Sequence, residues 1–205
     1  MTDTDTPSVV RRLNTPESAE LANSASIFED LQFVLKCCEQ LVARLADPVP
    51  DDVVCHALWS SALIAYTRCF SIGKKRGGLT EQDLANLELR GEVLEWHKML
   101  RRLRDHLTSP SANPRERFVI GAALDAEGKA AGVAIVSTPL PEVDELAVRQ
   151  TGRLALELSK LVDQRMGEQQ HAVFEAVRGM SARLLGSLPE VEVEVEVDLA
   201  GDPGE

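Results

Sequence analysis

The sequence predicts a mainly α protein: an antiparallel helical bundle with one β-hairpin and a long C-terminal helix or helix pair. Two observations carry that prediction. From residue 26 onward, apolar residues recur at helical spacing, and capping signals and Pro or Gly breaks punctuate the stretches. One pair of short, β-branched runs, at about 117–138, interrupts this pattern.

Residues 1–24 are rich in Thr, Ser, Asp and Pro and read as a mobile, disordered leader. Ser26-Ile27-Phe28-Glu29 has the form of a capping box. The helix it opens puts Ile27, Phe28, Leu31, Val34, Leu35, Cys38, Leu41, Val42 and Leu45 on one face. DPVPDD ends that helix and starts the next, where Pro50 presets a first turn and Asp51 and Asp52 suit a positive helix N-terminus. The second helix, about 52–71, is interrupted only by His56, Ser60, Ser61, Thr67 and Arg68, the mark of a central helix packed by several neighbours. A Gly-rich connector follows, with Lys74, Lys75 and Arg76 at its centre.

Thr80 begins a second capping pattern, TEQD, for a short helix that reaches Leu87 or Arg90 before a break at Gly91. The third long helix, 92–108, turns Val93, Trp96, His97, Leu100, Leu103 and Leu107 inward and Lys98, Arg101, Arg102 and Asp105 outward. His97 and Arg104 share the margin of its apolar stripe, so each must find a partner or a functional cleft. RFVIGAAL and AAGVAIVST, joined by DAEGK, form the hairpin, with Gly128 in the left-handed position of the turn. Helical spacing resumes over about 142–186, as one helix or as two divided near Gly167. So long a helix in a modest domain points to packing against a partner copy. The end, 188–205, alternates strictly but is dense in acids, and reads as a solvated tail or as an edge strand on the hairpin. The expected organisation is therefore a leader at 1–24, one helical domain at 25–187 and an acidic tail at 188–205.

The formal charge of −11 sits largely in the tail; without the seven acids of 189–205 it falls to −4. The stretch from Lys74 to Arg117 is locally cationic, so overall charge does not exclude a phosphate-binding face. Cys37, Cys38, Cys55 and Cys69 form no CxxC pair and read as buried thiols, and Cys55, His56 and Cys69 match no zinc spacing. No metal or cofactor is expected. The absence of a signal-peptide pattern and of any apolar run of spanning length makes a cytoplasmic protein, off the membrane, the expectation. There is no phosphate-binding glycine fingerprint, nucleophile elbow or zinc-protease helix motif, which lowers the expectation of an ordinary metabolic enzyme.

ALIAYTRCFSIGKKRGG followed by HKMLRRLRDH resembles the HEPN-type helical bundles of toxin–antitoxin and phage-defence systems, over roughly residues 26–113. The resemblance implies a homodimer in which an Arg and a His, four to six residues apart near a helix end, meet their copies and cleave RNA without metal. A histidine there acts as general base on a ribose hydroxyl, and an arginine stabilises the developing charge. The candidates are Arg101, Arg104 and His106. Arg101 and His106 have the spacing, but Arg102 stands where the family carries a small polar residue. Arg104 has the preferred follower, Asp105, but no His at the right distance beyond it. The expectation is therefore a non-catalytic relative, an interaction or regulatory protein that touches RNA or DNA through Lys74, Lys75, Arg76, Lys98, Arg101, Arg102 and Arg104, or meets a protein partner. A second resemblance stays open. LTEQDLA, LRRLRDHL and RERFVIGAALDAEGKA follow the helix–helix–wing order of winged-helix transcription regulators, which implies a recognition helix at 92–108 and a wing tip at Lys129.

Overall fold

Thr15-Pro16-Glu17-Ser18 starts the first helix, α1 (Pro16–Leu45), in a computed structural model that describes residues 9–70, 78–110, 113, 115–139 and 143–192. The Thr15 hydroxyl accepts from the Ser18 N–H at 3.2 Å, and the Ser18 hydroxyl accepts from the Thr15 N–H at 3.0 Å. Pro16 at the first helical position presets φ where no backbone donor is needed. This corrects the expected start at Ser26. Ser26 and Glu29 lie exposed within the helix, and the described part of the expected leader is a short strand followed by the first turns of α1. The missed turns, PESAELANSAS, hold good helix formers but few large apolar residues, so they give little periodicity to read.

Asp51 caps α2 (Asp52–Arg68) by accepting from the Val54 N–H at 3.1 Å. Thr80 and Asp83 form a reciprocal capping box on the short α3 (Glu81–Ala85). Gly91, at φ +101°, then turns the chain into α4 (Val93–Leu107). The hairpin follows as β2 (Glu116–Leu124) and β3 (Ala130–Pro139), paired antiparallel from Glu116↔Pro139 to Leu124↔Ala130. Its turn has Gly128 at φ +79°, and the Asp125 carboxylate accepts from the N–H groups of Glu127 and Lys129.

The long C-terminal segment is one helix, α5 (Glu145–Arg178), that passes Gly167 unbroken, followed by the short α6 (Ala182–Ser187). α5 lies antiparallel along α1: Gln32 Nε2 donates to Ser159 Oγ at 2.8 Å, and a Cβ at Gly152 would come within 3.3 Å of the Cys38 Cβ. α1 also packs along α2, and α2 packs on α4, so α1 and α2 are the inner helices. Leu31, Val34, Leu41, Leu63, Tyr66 and Leu158 are fully buried at the centre of this arrangement. The fold class is as expected, a mainly helical chain with a small hairpin.

After α6 comes β4 (Glu190–Val191), which pairs antiparallel with β1 (Val10–Arg11) and not with the hairpin. The Arg12 N–H donates to the Pro189 carbonyl at 2.8 Å and the Arg11 guanidinium to that of Leu188 at 3.1 Å. The strand alternative for the tail therefore holds at its beginning, on another partner; residues 193–205 lie outside the described residues. Among the described residues no helix is long and apolar enough to cross a membrane.

Candidate functional site

The amphipathic pattern of α4 decides where each predicted site residue goes. Its inward face buries His97 and Leu100, with Val93, Trp96, Leu103 and Leu107 half-buried around them. His97 is only 1% exposed, and its Nδ1 lies 2.9 Å from the Tyr66 hydroxyl oxygen on α2. The Phe70 ring centroid is 4.3 Å from that of His97, so aromatic rings close the site on two sides. Burial, with a smaller contribution from the Arg101 charge, lowers the pKa of His97, and burial raises that of Tyr66. The pair is thus neutral near pH 7 and sealed from solvent. His97 Nε2 has no hydrogen-bond partner among the described residues, which leaves one buried polar atom unsatisfied.

The outward face carries the predicted cations. The Lys98 ammonium donates to Glu95 at 2.7 Å, while Arg101 and Arg102 are exposed. Arg104 is half-buried; its Nε lies 3.1 Å from Asp105 but outside hydrogen-bond geometry, as adjacent residues on a helix do not face each other. His106 is exposed. Arg101 and His106 are five positions apart, which puts them about 140° apart around the helix. One copy of the chain does not bring them together. Lys74, Lys75 and Arg76 lie outside the described residues.

Among the described residues no three His, Cys, Asp or Glu side chains come together as a metal site. All four cysteines are free and buried, and desolvation pushes the thiols of Cys38 and Cys69 up to about 12, far from thiolate chemistry.

What the sequence did not show is a cleft of about 540 Å³ at the α4–α5 seam. Helices α1, α2 and α5 pack closely, and α4 closes on α2, so the seam opposite is the loosely closed side of the bundle. Trp96, Met99 and Arg102 follow one another at a spacing of three along α4 and line the cleft from one side. Arg149, Arg153 and the buried Leu154 line it from α5, and Arg90 stands at the end where Gly91 turns the chain. Only Arg102 of these arginines was a predicted site residue. The i,i+4 pair Arg149 and Arg153 is visible in the sequence, but only the antiparallel fold sets it beside α4.

A second polar tie crosses the bundle: Arg165 on α5 donates to Asp83 at the start of α3, at 2.7 Å. Burial works to raise the Asp83 pKa, but the Thr80 N–H and hydroxyl and the Arg165 charge outweigh it and hold the pKa below its ordinary value. No family model, curated protein or solved structure matches this chain.

Proposed function

We propose that this chain is a non-catalytic, HEPN-like interaction protein that works by contact, as a homodimer joined through the hairpin. One observation carries the proposal: both hairpin strands are exposed along nearly their whole length although, apart from Glu116, Arg117, Ser137 and Thr138 at one end, they carry no polar side chain. Phe118, Val119, Ile120, Leu124, Val133, Ile135 and Val136 each expose more than half of their surface, with Val133 at 76%. An isolated two-stranded hairpin is marginal in water, and a contiguous apolar patch of a few hundred Å² marks a contact site.

The register puts Phe118, Ile120, Ala122, Val133 and Ile135 together on one face with Leu124, and sets Glu116 and Ser137, which bond to each other, at its open end. A face whose one charge, Glu116, stands at its end can stack its apolar middle on its own copy about a twofold axis and leave that carboxylate at the wet rim. A second copy is therefore the occupant that this surface fits, in preference to α4 or the long C-terminal helix, where a dimer was first expected. The exposed Arg101 and Arg102 give such a dimer a secondary contact for RNA. The separation of Arg101 from His106 around the helix favours binding without cleavage.

Sedimentation velocity tests the dimer. The wild-type chain is expected at twice 22.4 kDa at tens of micromolar, and the double variant Ile120→Asp, Ile135→Asp at the monomer mass with unchanged helical circular dichroism. A wild-type monomer over that range overturns the dimer. In the same samples, anisotropy with a labelled single-stranded RNA at low salt is expected to show binding that weakens steeply with salt and is lost in Arg101→Glu, Arg102→Glu. No binding removes the RNA contact, and cleavage lost in His106→Ala overturns the non-catalytic assignment.

A further inference from the structure

We propose that the α4–α5 cleft is a binding site for an amphipathic organic anion, an apolar body with a sulfonate, carboxylate or phosphate head. This is independent of the hairpin dimer. The volume of about 540 Å³ falls within the range of small-molecule sites. The lining is graded from floor to rim. Leu154 is buried and Trp96 half-buried, whereas Arg90, Arg102, Arg149 and Arg153 are exposed. An apolar body is thus received by an indole face and aliphatic side chains, and its head meets guanidinium groups where water still reaches them.

The charge balance favours an anion. Four arginines line the cleft against two carboxylates, Glu92 and Glu95, and Glu95 is already engaged by Lys98. Arg90 and Arg102 make no ion pair among the described residues. Arg149 and Arg153 pair with Glu145 and Glu157 on their own helix, at 2.6 and 3.2 Å. Such exposed i,i+4 pairs are weak and exchange readily for a bidentate anion. A purely inorganic ion would leave the apolar floor unused, and a neutral apolar molecule would leave the guanidinium rim unused. The site fits a ligand that has both parts.

The probe is 8-anilinonaphthalene-1-sulfonate, titrated into the full chain by calorimetry and fluorescence, with neutral N-phenyl-1-naphthylamine as the comparison. Expected are one sulfonate per chain and at least tenfold weaker binding of the neutral analogue. Arg102→Ala, Arg153→Ala should weaken sulfonate binding at least tenfold, and Met99→Arg, which crowds the cleft without removing positive charge, should also weaken it. Thermal melts confirm that these variants fold. Ile120→Asp, Ile135→Asp should leave the affinity unchanged, since any dye on the hairpin would be lost in that variant. The site is refuted by sulfonate affinity indifferent to the arginine pair, by equal binding of the neutral analogue, by loss of binding in the hairpin variant, or by no binding at all.

Discussion

His97 shows how a side chain suited to chemistry becomes part of a core. Its sequence position, at the edge of an apolar stripe, required a partner, and the partner is Tyr66, 31 residues earlier on another helix. That helical spacing placed His97 on the buried face was legible; that Tyr66 would lie opposite was not, because periodicity within a helix says nothing of which helix it meets. The buried neutral imidazole has a consequence for stability. The unfolded chain takes up a proton near pH 6.5, but folded His97 resists protonation until lower pH because its charged form is desolvated. Between the two values the unfolded state binds more protons, so stability should fall as pH drops below about 6.5 and hold steady above it. Urea unfolding at pH 7.5 and 5.5 measures this, and the His97→Leu variant should lose that part of the pH dependence. At pH 7.5, Tyr66→Phe should cost about 1–3 kcal/mol by leaving a second imidazole nitrogen unsatisfied; an unchanged midpoint would show that the 2.9 Å contact contributes nothing.

At the scale of the element, capping chemistry was the reliable signal. Thr80 with Asp83, Asp51 before α2, the break at Gly91 and the left-handed Gly128 all stand where the sequence placed them. α1 is the instructive exception. Ser26-Ile27-Phe28-Glu29 reads as the start because large apolar residues begin there, and a cap at Thr15 was not read from the sequence. The helix is capped at Thr15, whose hydroxyl and backbone exchange hydrogen bonds with Ser18, and α5 is long enough to run beside those earlier turns. Thr15→Ala should cost about 1 kcal/mol in denaturant unfolding, whereas Ser26→Ala should be close to neutral, since Ser26 is an exposed mid-helix residue. The reverse ranking would restore the later start.

For the whole molecule, the sequence showed the parts and not the gap between them. Each wall of the α4–α5 cleft is an ordinary amphipathic helix, and the cleft exists because α4 follows α2 while α5 follows α1. The same assembly leaves the hairpin outside the bundle, so local stability should be very uneven. Hydrogen exchange of the Ile120→Asp, Ile135→Asp variant should show peptides from 116–139 exchanging well before those covering the buried stretches of α1 and α5. Equal protection would mean that the hairpin packs on the bundle in solution. The pairing of β1 with β4 also has a bearing on synthesis at the ribosome. Val10 meets Val191, and Gln32 meets Ser159, so the earliest long helix cannot cover its apolar face until most of the chain has emerged. Through most of translation α1 has only α2 to lean on, and the side of it that carries Gln32 and Cys38 must wait for α5. Burial of α1 is therefore completed late in synthesis, when the last helix and strand arrive.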